Sequence, residues 1–239
     1  MAESLPAIPP LIGLYLRNYA ATIVYCDETG GDYYDFLGPD GPDQNKLSVV
    51  VGDVSGHGIP SALLMASARA FLRQRAALPG SIAQIVSDVN RQLAADVEAS
   101  SGFVALFYVF FDIANKRLSW VRAGHEPAFL YDPTGDTFDE LRGDGMAMGV
   151  GAYEAYLEYE KADLRKNQIF LLGTDGIWEA RNPAGQMFGR EPIYQIIRKN
   201  PAASAKEILA SCFNSLNRFL EDLTPEDDMT LVVIKVTQE

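Results

Sequence analysis

Lys46-Leu47-Ser48-Val49-Val50-Val51-Gly52-Asp53-Val54-Ser55-Gly56-His57-Gly58-Ile59-Pro60-Ser61-Ala62 is the stretch whose reading decides the fold. Residues 46–54 are an almost unbroken apolar run, the pattern of a strand covered on both faces. Gly56 and Gly58 end that run, and Pro60 stands where the first turn of a helix tolerates a missing N–H. The spacing predicts a helix from residue 60 to about residue 77, with Gly80 past its end. A buried strand that passes through a short loop into a helix implies a sheet with a helical layer against it.

Working outward, a second helix begins at Ser81, where Gln84 three residues on completes a capping box. Its apolar stripe is Ile82, Ile85, Val86, Val89 and Leu93. Ser204 and Glu207 form another capping box, and Ile208, Leu209, Cys212, Phe213, Leu216, Phe219 and Leu220 mark one face of the helix behind it. Strands are predicted at 22–26, 103–112, 117–123 and 127–131. The last three follow one another with tight connections such as Ala114-Asn115-Lys116, which reads as an antiparallel meander. Residues 153–160 alternate in part, 168–172 are apolar, and 229–236 form the last strand. Antiparallel strands with helices early and late predict an α+β layered domain with helices on both outer faces. Pro6, Pro9 and Pro10 interrupt any regular element, so residues 1–19 read as a linker remnant and residues 20–239 as a single domain.

Composition narrows the function. The 239 residues carry 20 Lys+Arg against 32 Asp+Glu, a net charge of −12. That argues against a nucleic-acid partner, which needs a basic face, and against an anionic membrane surface. Apolar residues at 48% and charged residues at 22% are globular values. The longest apolar run, residues 103–111, is far short of the roughly 20 residues of a membrane helix, so no membrane insertion is expected. No charged-then-apolar leader opens the chain. With only Cys26 and Cys212, far apart, a reduced cytoplasmic setting is the simplest expectation.

His57 and His125 lack the partner spacing of a zinc motif, and His125 reads as a turn residue. Ser55 misses the spacing of a nucleophile elbow, and Gly143-Asp144-Gly145 misses the dinucleotide fingerprint. The aspartates of residues 27–43 lack the spacing of a calcium loop. What remains is a set of aspartates beside glycines or at strand ends: Asp32, Asp35, Asp53, Asp175, Asp227 and Asp228. If the strands at 46–54, 168–172 and 229–236 are neighbours, these carboxylates converge at one end of a sheet. Like charges that close together repel unless cations neutralise them, and an all-oxygen set suits Mg²⁺ or Mn²⁺. Two such ions can activate a water and clamp a phosphoryl group.

Five segments, in order, carry a resemblance: Gly30-Gly31-Asp32-Tyr33-Tyr34-Asp35-Phe36; residues 51–62; Ala123-Gly124-His125-Glu126-Pro127; Thr174-Asp175-Gly176; and Asp227-Asp228-Met229-Thr230. From about residue 20 onward the chain resembles the metal-dependent protein phosphatases (PPM), in their bacterial SpoIIE/RsbU-type branch. The resemblance implies a β-sandwich of mainly antiparallel sheets flanked by helices, with two Mn²⁺ or Mg²⁺ ions. It also implies hydrolysis of phosphoserine or phosphothreonine on a STAS-type anti-sigma-factor antagonist, by a metal-activated water and without a covalent enzyme intermediate. Carried over, Asp32 holds one metal, directly or through water, and Asp53 bridges both, with the Val54 carbonyl completing a ligand set. Asp175 holds the other side together with Asp227 or Asp228; many relatives carry Asn at the second of these, and the choice between them stays open. Asp35 stands behind the ligands, and His57 and Gly58 lie near the phosphate, with a turn requiring two glycines as the alternative role of that loop. No Arg near Asp32 matches the one that some relatives place on the phosphate.

Two rivals accompany this reading: a catalytically weak binding module of the same fold, and a two-metal hydrolase of small phosphoesters. Residues 60–93 are expected to pack beside the site and bias it. The resemblance also implies a sensor or receiver domain N-terminal to the chain in a longer protein, with homodimerisation as one route of control.

Overall fold

A computed structural model describes residues 18–37, 46–97, 102–151 and 155–237. The elements run β1 (Asn18–Val24), β2 (Tyr33–Leu37), β3 (Lys46–Val54), α1 (Ile59–Ala76), α2 (Ile82–Val97), β4 (Val104–Asp112) and β5 (Arg117–Ala123). They continue with β6 (Ala128–Asp132), β7 (Thr137–Leu141), β8 (Tyr159–Lys161), β9 (Ile169–Gly173), α3 (Asp175–Trp178), α4 (Glu191–Lys199), α5 (Ala205–Leu220) and β10 (Met229–Lys235). Two five-stranded sheets form, in the orders β1-β10-β9-β6-β7 and β2-β3-β4-β5-β8. Every strand pairing within them is antiparallel.

The sheets stack face to face, and their inner faces make the central core. Val49, Val51, Phe107, Phe111, Phe170, Val232 and Ile234 meet there. Side chains of this kind stabilise by about 1.5–3 kcal/mol each when fully buried. A second cluster lies under α1 and α2, where Val50 and Val54 meet Leu72, Val86, Val89 and Leu93. A third lies under α3, α4 and α5, where Leu231 and Val233 meet Ile208, Cys212 and Leu216. The strand β3 thus has apolar cover on both sides, which explains its unbroken run. Both capping boxes form: Ser81 and Gln84 exchange bonds, as do Ser204 and Glu207.

The structure departs from the sequence reading in four places. The predicted meander breaks after β5, because β6 crosses to the other sheet and pairs with β7 and β9. The turn Gly124-His125-Glu126 makes that crossing, with Gly124 docked beside Leu106 in a parallel bridge. The first strand is Asn18–Val24 rather than 22–26, and its pairing with β10 includes Asn18 and Tyr19. Residues 1–17 of the assigned linker lie outside the described residues. Of the predicted strand 153–160, residues 153–154 lie outside the described residues, and only Tyr159–Lys161 pairs. Finally, β2, β7, α3 and α4 were not predicted. Among the described residues no helix is long and apolar enough to cross a membrane.

Candidate metal centre

Antiparallel pairing carries the aspartates to one end of the sandwich. Tyr33 lies opposite Gly52, so β3 ends where β2 begins. Gly173 lies opposite Leu231 and Val24 opposite Met229, so the ends of β1 and β9 meet the start of β10. Asp32 precedes β2, Asp53 sits near the end of β3, Asp175 opens α3, and Asp227 and Asp228 precede β10.

Side-chain bonds tie the two sheets together here. The buried Asp32 carboxylate accepts hydrogen bonds at Oδ2 from the Thr174 hydroxyl, 2.7 Å, and the Thr230 hydroxyl, 2.6 Å. Thr174 Oγ1 in turn accepts the Thr230 N–H at 3.0 Å. Asp228 accepts the Cys26 N–H at Oδ1, 2.9 Å, and the Asp32 N–H at Oδ2, 3.3 Å. Asp227 is exposed, and its Oδ1 accepts the Asp228 N–H at 2.8 Å. Two glycines permit this closeness: a Cβ on Gly31 would stand 2.8 Å from the Val54 carbonyl oxygen, and one on Gly176 would stand 2.1 Å from that of Asp228.

The carboxylates feel one another. Burial, followed by the charges of Asp175, Asp227 and Asp228, pushes Asp53 up to about 7. Burial, and then the charge of Asp53, holds Asp32 well above the usual carboxylate range, against the opposing pull of the two threonine hydroxyls. Asp227 is raised by burial and by the charges of Asp175 and Asp228, while the hydrogen bond from the Asp228 N–H opposes the rise. Among the described residues, no group of three His, Cys, Asp or Glu side chains already stands ready to hold a metal ion. The carboxylates share a field without closing on a common point. Divalent cations fit this donor set, because hard oxygen ligands and uncompensated like charge are what such an ion relieves.

The structure thus places Asp32, Asp53, Asp175, Asp227 and Asp228 at one end of the sandwich, with the Val54 carbonyl beside Gly31. His57 is exposed on the loop above them, and Gly58 is the N-cap of α1. It does not bring Asp35 to the cluster. That carboxylate faces α1, gripped by Arg73 through two bonds of 2.6 Å, with Arg69 3.5 Å away. Sequence reasoning missed the roles of Thr174 and Thr230, although both lie within quoted segments beside aspartates. It read His125 as a turn residue, and His125 does lie in the turn between β5 and β6. The imidazole is buried and pushed down to about 4 by that burial, with Nδ1 2.9 Å from the Glu126 carbonyl oxygen.

With this geometry in view, comparison with known proteins decides the family. The model of Stage II sporulation protein E (SpoIIE) matches residues 43–237. The chain belongs to the SpoIIE family. This SpoIIE-family chain is 28% identical to the phosphoserine phosphatase RsbU of Bacillus subtilis, over 91% of its own length and 63% of RsbU. It spans less than two thirds of the length of that relative and of two other curated relatives that it matches. The SiaA-PP2C domain of Pseudomonas aeruginosa superposes with a TM-score of 0.79 at 23% identity, covering 91% of this chain and 85% of that one. RsbX, solved in complex with magnesium, gives a TM-score of 0.67 at 14% identity, covering 92% and 94%. The SpoIIE-family chain has the PP2C fold: two antiparallel sheets between helical layers.

Proposed function

We propose that this is the phosphatase domain of a cytoplasmic signalling protein: a metal-dependent serine/threonine phosphatase acting on a phosphorylated STAS-type antagonist or a similar protein. The observation that carries the reading is the cluster of mutually repelling carboxylates, with Asp53 pushed up to about 7 between two sheets. In this reading Asp53 would serve both of two Mn²⁺ or Mg²⁺ ions, Asp32 and the Val54 carbonyl would hold one, and Asp175 and Asp227 the other. Asp227, which is exposed, is taken as the ligand of that pair, while the buried Asp228 accepts a main-chain N–H at each oxygen. Asp228 then fixes the loop that carries Asp32. Bound divalent ions would neutralise the carboxylates and supply an activated water for attack on phosphorus. The Thr174 and Thr230 hydroxyls orient Asp32, and His57 with the first turn of α1 lies where an anionic group can be received. Asp227, Gly56 and His57 are exposed, so the rim is open, which favours a protein substrate over a small phosphoester. The proposed control comes from an N-terminal sensor or receiver module and from homodimerisation.

The test is Mn²⁺-dependent phosphate release from a panel of phosphorylated antagonist proteins and from an aryl phosphate. Release from both, abolished by chelation, is the expected outcome. Undiminished turnover with chelator present refutes the metal mechanism. Phosphoprotein binding without turnover of either substrate leaves the binding module as the answer.

A further inference from the structure

A groove of about 510 Å³ opens against the loop that follows Asp53, between the start of α1 and the end of α2. Ser55, Leu63, Leu64, Val97 and Phe103 line it, and Asp96 is the sole charged residue in its described lining. Its rim is apolar and in water: Leu63 is 66% exposed, neighbouring Ile59 69%, and Phe103 41%. Ile59 and Leu63 are one turn apart on the outward side of α1, while Leu64 and Met65 turn inward against the helical core. A helix apolar on both sides at its start has a face left over for a partner.

The groove is anchored to the site loop. The Ser55 N–H donates to the Phe103 carbonyl at 3.0 Å, and the Phe103 N–H donates to Ser55 Oγ at 3.0 Å. Ser55 is two residues beyond Asp53. Whatever the groove grips is therefore fixed relative to the carboxylates. A phosphoserine that reaches them must bring its neighbouring residues along the adjoining surface, at about 3.3 Å per extended residue. In a chain of net charge −12, an almost uncharged strip is also where a negatively charged phosphoprotein can approach with little repulsion.

We propose that this groove is the substrate-docking subsite: it takes an apolar side chain within about four residues of the phosphoserine. The proposal rests on the phosphatase reading above and adds the substrate feature that the domain selects.

The probe is a set of phosphoserine peptides with Leu, Ser or Asp scanned through the four positions on either side, assayed with Mn²⁺ beside an aryl phosphate. Leu at one of these positions should raise kcat/KM at least tenfold over Asp. Leu63→Gln and Phe103→Gln, both at exposed positions, should flatten that preference and leave the aryl phosphate rate unchanged. A flat preference in the wild type, or one that survives in both variants, overturns the proposal. So does a change of oligomeric state in the variants with the peptide preference intact, which would give the strip to a second copy of the chain. If the wild type turns over neither substrate, the phosphatase reading fails by itself. Peptide affinities from fluorescence polarisation then decide the groove: the same Leu preference, lost in the variants, supports it, and its absence overturns it.

Discussion

Asp53→Asn should stabilise the metal-free protein in alkaline solution and leave it unchanged in acid. Burial and the charges of Asp175, Asp227 and Asp228 raise the Asp53 carboxyl from 3.8 to about 7. The folded chain then keeps this proton after the unfolded chain has lost it, so stability falls as pH climbs between those two values and levels off above them. At about 1.4 kcal/mol per pH unit, the full cost is about 4 kcal/mol. That is an upper bound, because solvent reaches the open rim and screens the charges. Asn keeps the shape of the side chain and cannot ionise, so it removes the penalty. Urea unfolding with chelator should show the variant more stable by about 1–4 kcal/mol near pH 8 and equal to wild type near pH 4. Adding Mn²⁺ should stabilise the wild type and do much less for the variant, since a ligand that binds only the folded state raises its stability. A variant no more stable than wild type near pH 8, or equally favoured at both pH values, refutes the charge-cluster argument.

Asp175→Asn should lower kcat by at least about 10²–10³ at saturating metal with the fold retained, read from steady-state kinetics and circular dichroism. A near-wild-type rate removes Asp175 from the ligand set. Conservative truncations at Leu64, Phe71 or Val89, in the helical layer behind the site loop, should change Mn²⁺ affinity by calorimetry without touching a ligand. Unchanged affinity across the series separates the helices from the site.

How much could be read from the sequence depends on what each element leaves as a pattern. The strands β3, β4, β9 and β10 were legible because they have apolar cover on both faces and read as unbroken apolar runs. Part of β2 was hidden because Asp35 interrupts it, and that aspartate is there to hold Arg73 of α1 rather than to line the site. The edge strand β7 has one fully buried residue, Leu141, and no periodicity to betray it. The crossing of β6 to the second sheet could not be read, because a short turn looks the same whether the next strand pairs beside its predecessor or across the core. The aspartates were legible as residue types. Their convergence was legible only on the condition that three strands were neighbours: β9 and β10 do pair, with Gly173 opposite Leu231, whereas β3 lies in the other sheet. The Thr174 and Thr230 hydroxyls became meaningful only once that register brought both to Asp32.

The clasp between Asp228 and the N–H groups of Cys26 and Asp32 joins positions 202 and 196 residues apart. Protein synthesis releases a chain from its N-terminal end. The strand β1 therefore leaves the ribosome long before β10, its ladder partner among the described residues, exists. Until then, among the described residues, β1 has no ladder partner and β9 lacks one of its two, and unpaired edges of this kind invite pairing with other chains. A message truncated anywhere before residue 227 yields a product without Asp227, Asp228 or the strand that closes the sheet. Such a fragment lacks two of the clustered carboxylates and leaves β1 and β9 with an unpaired edge.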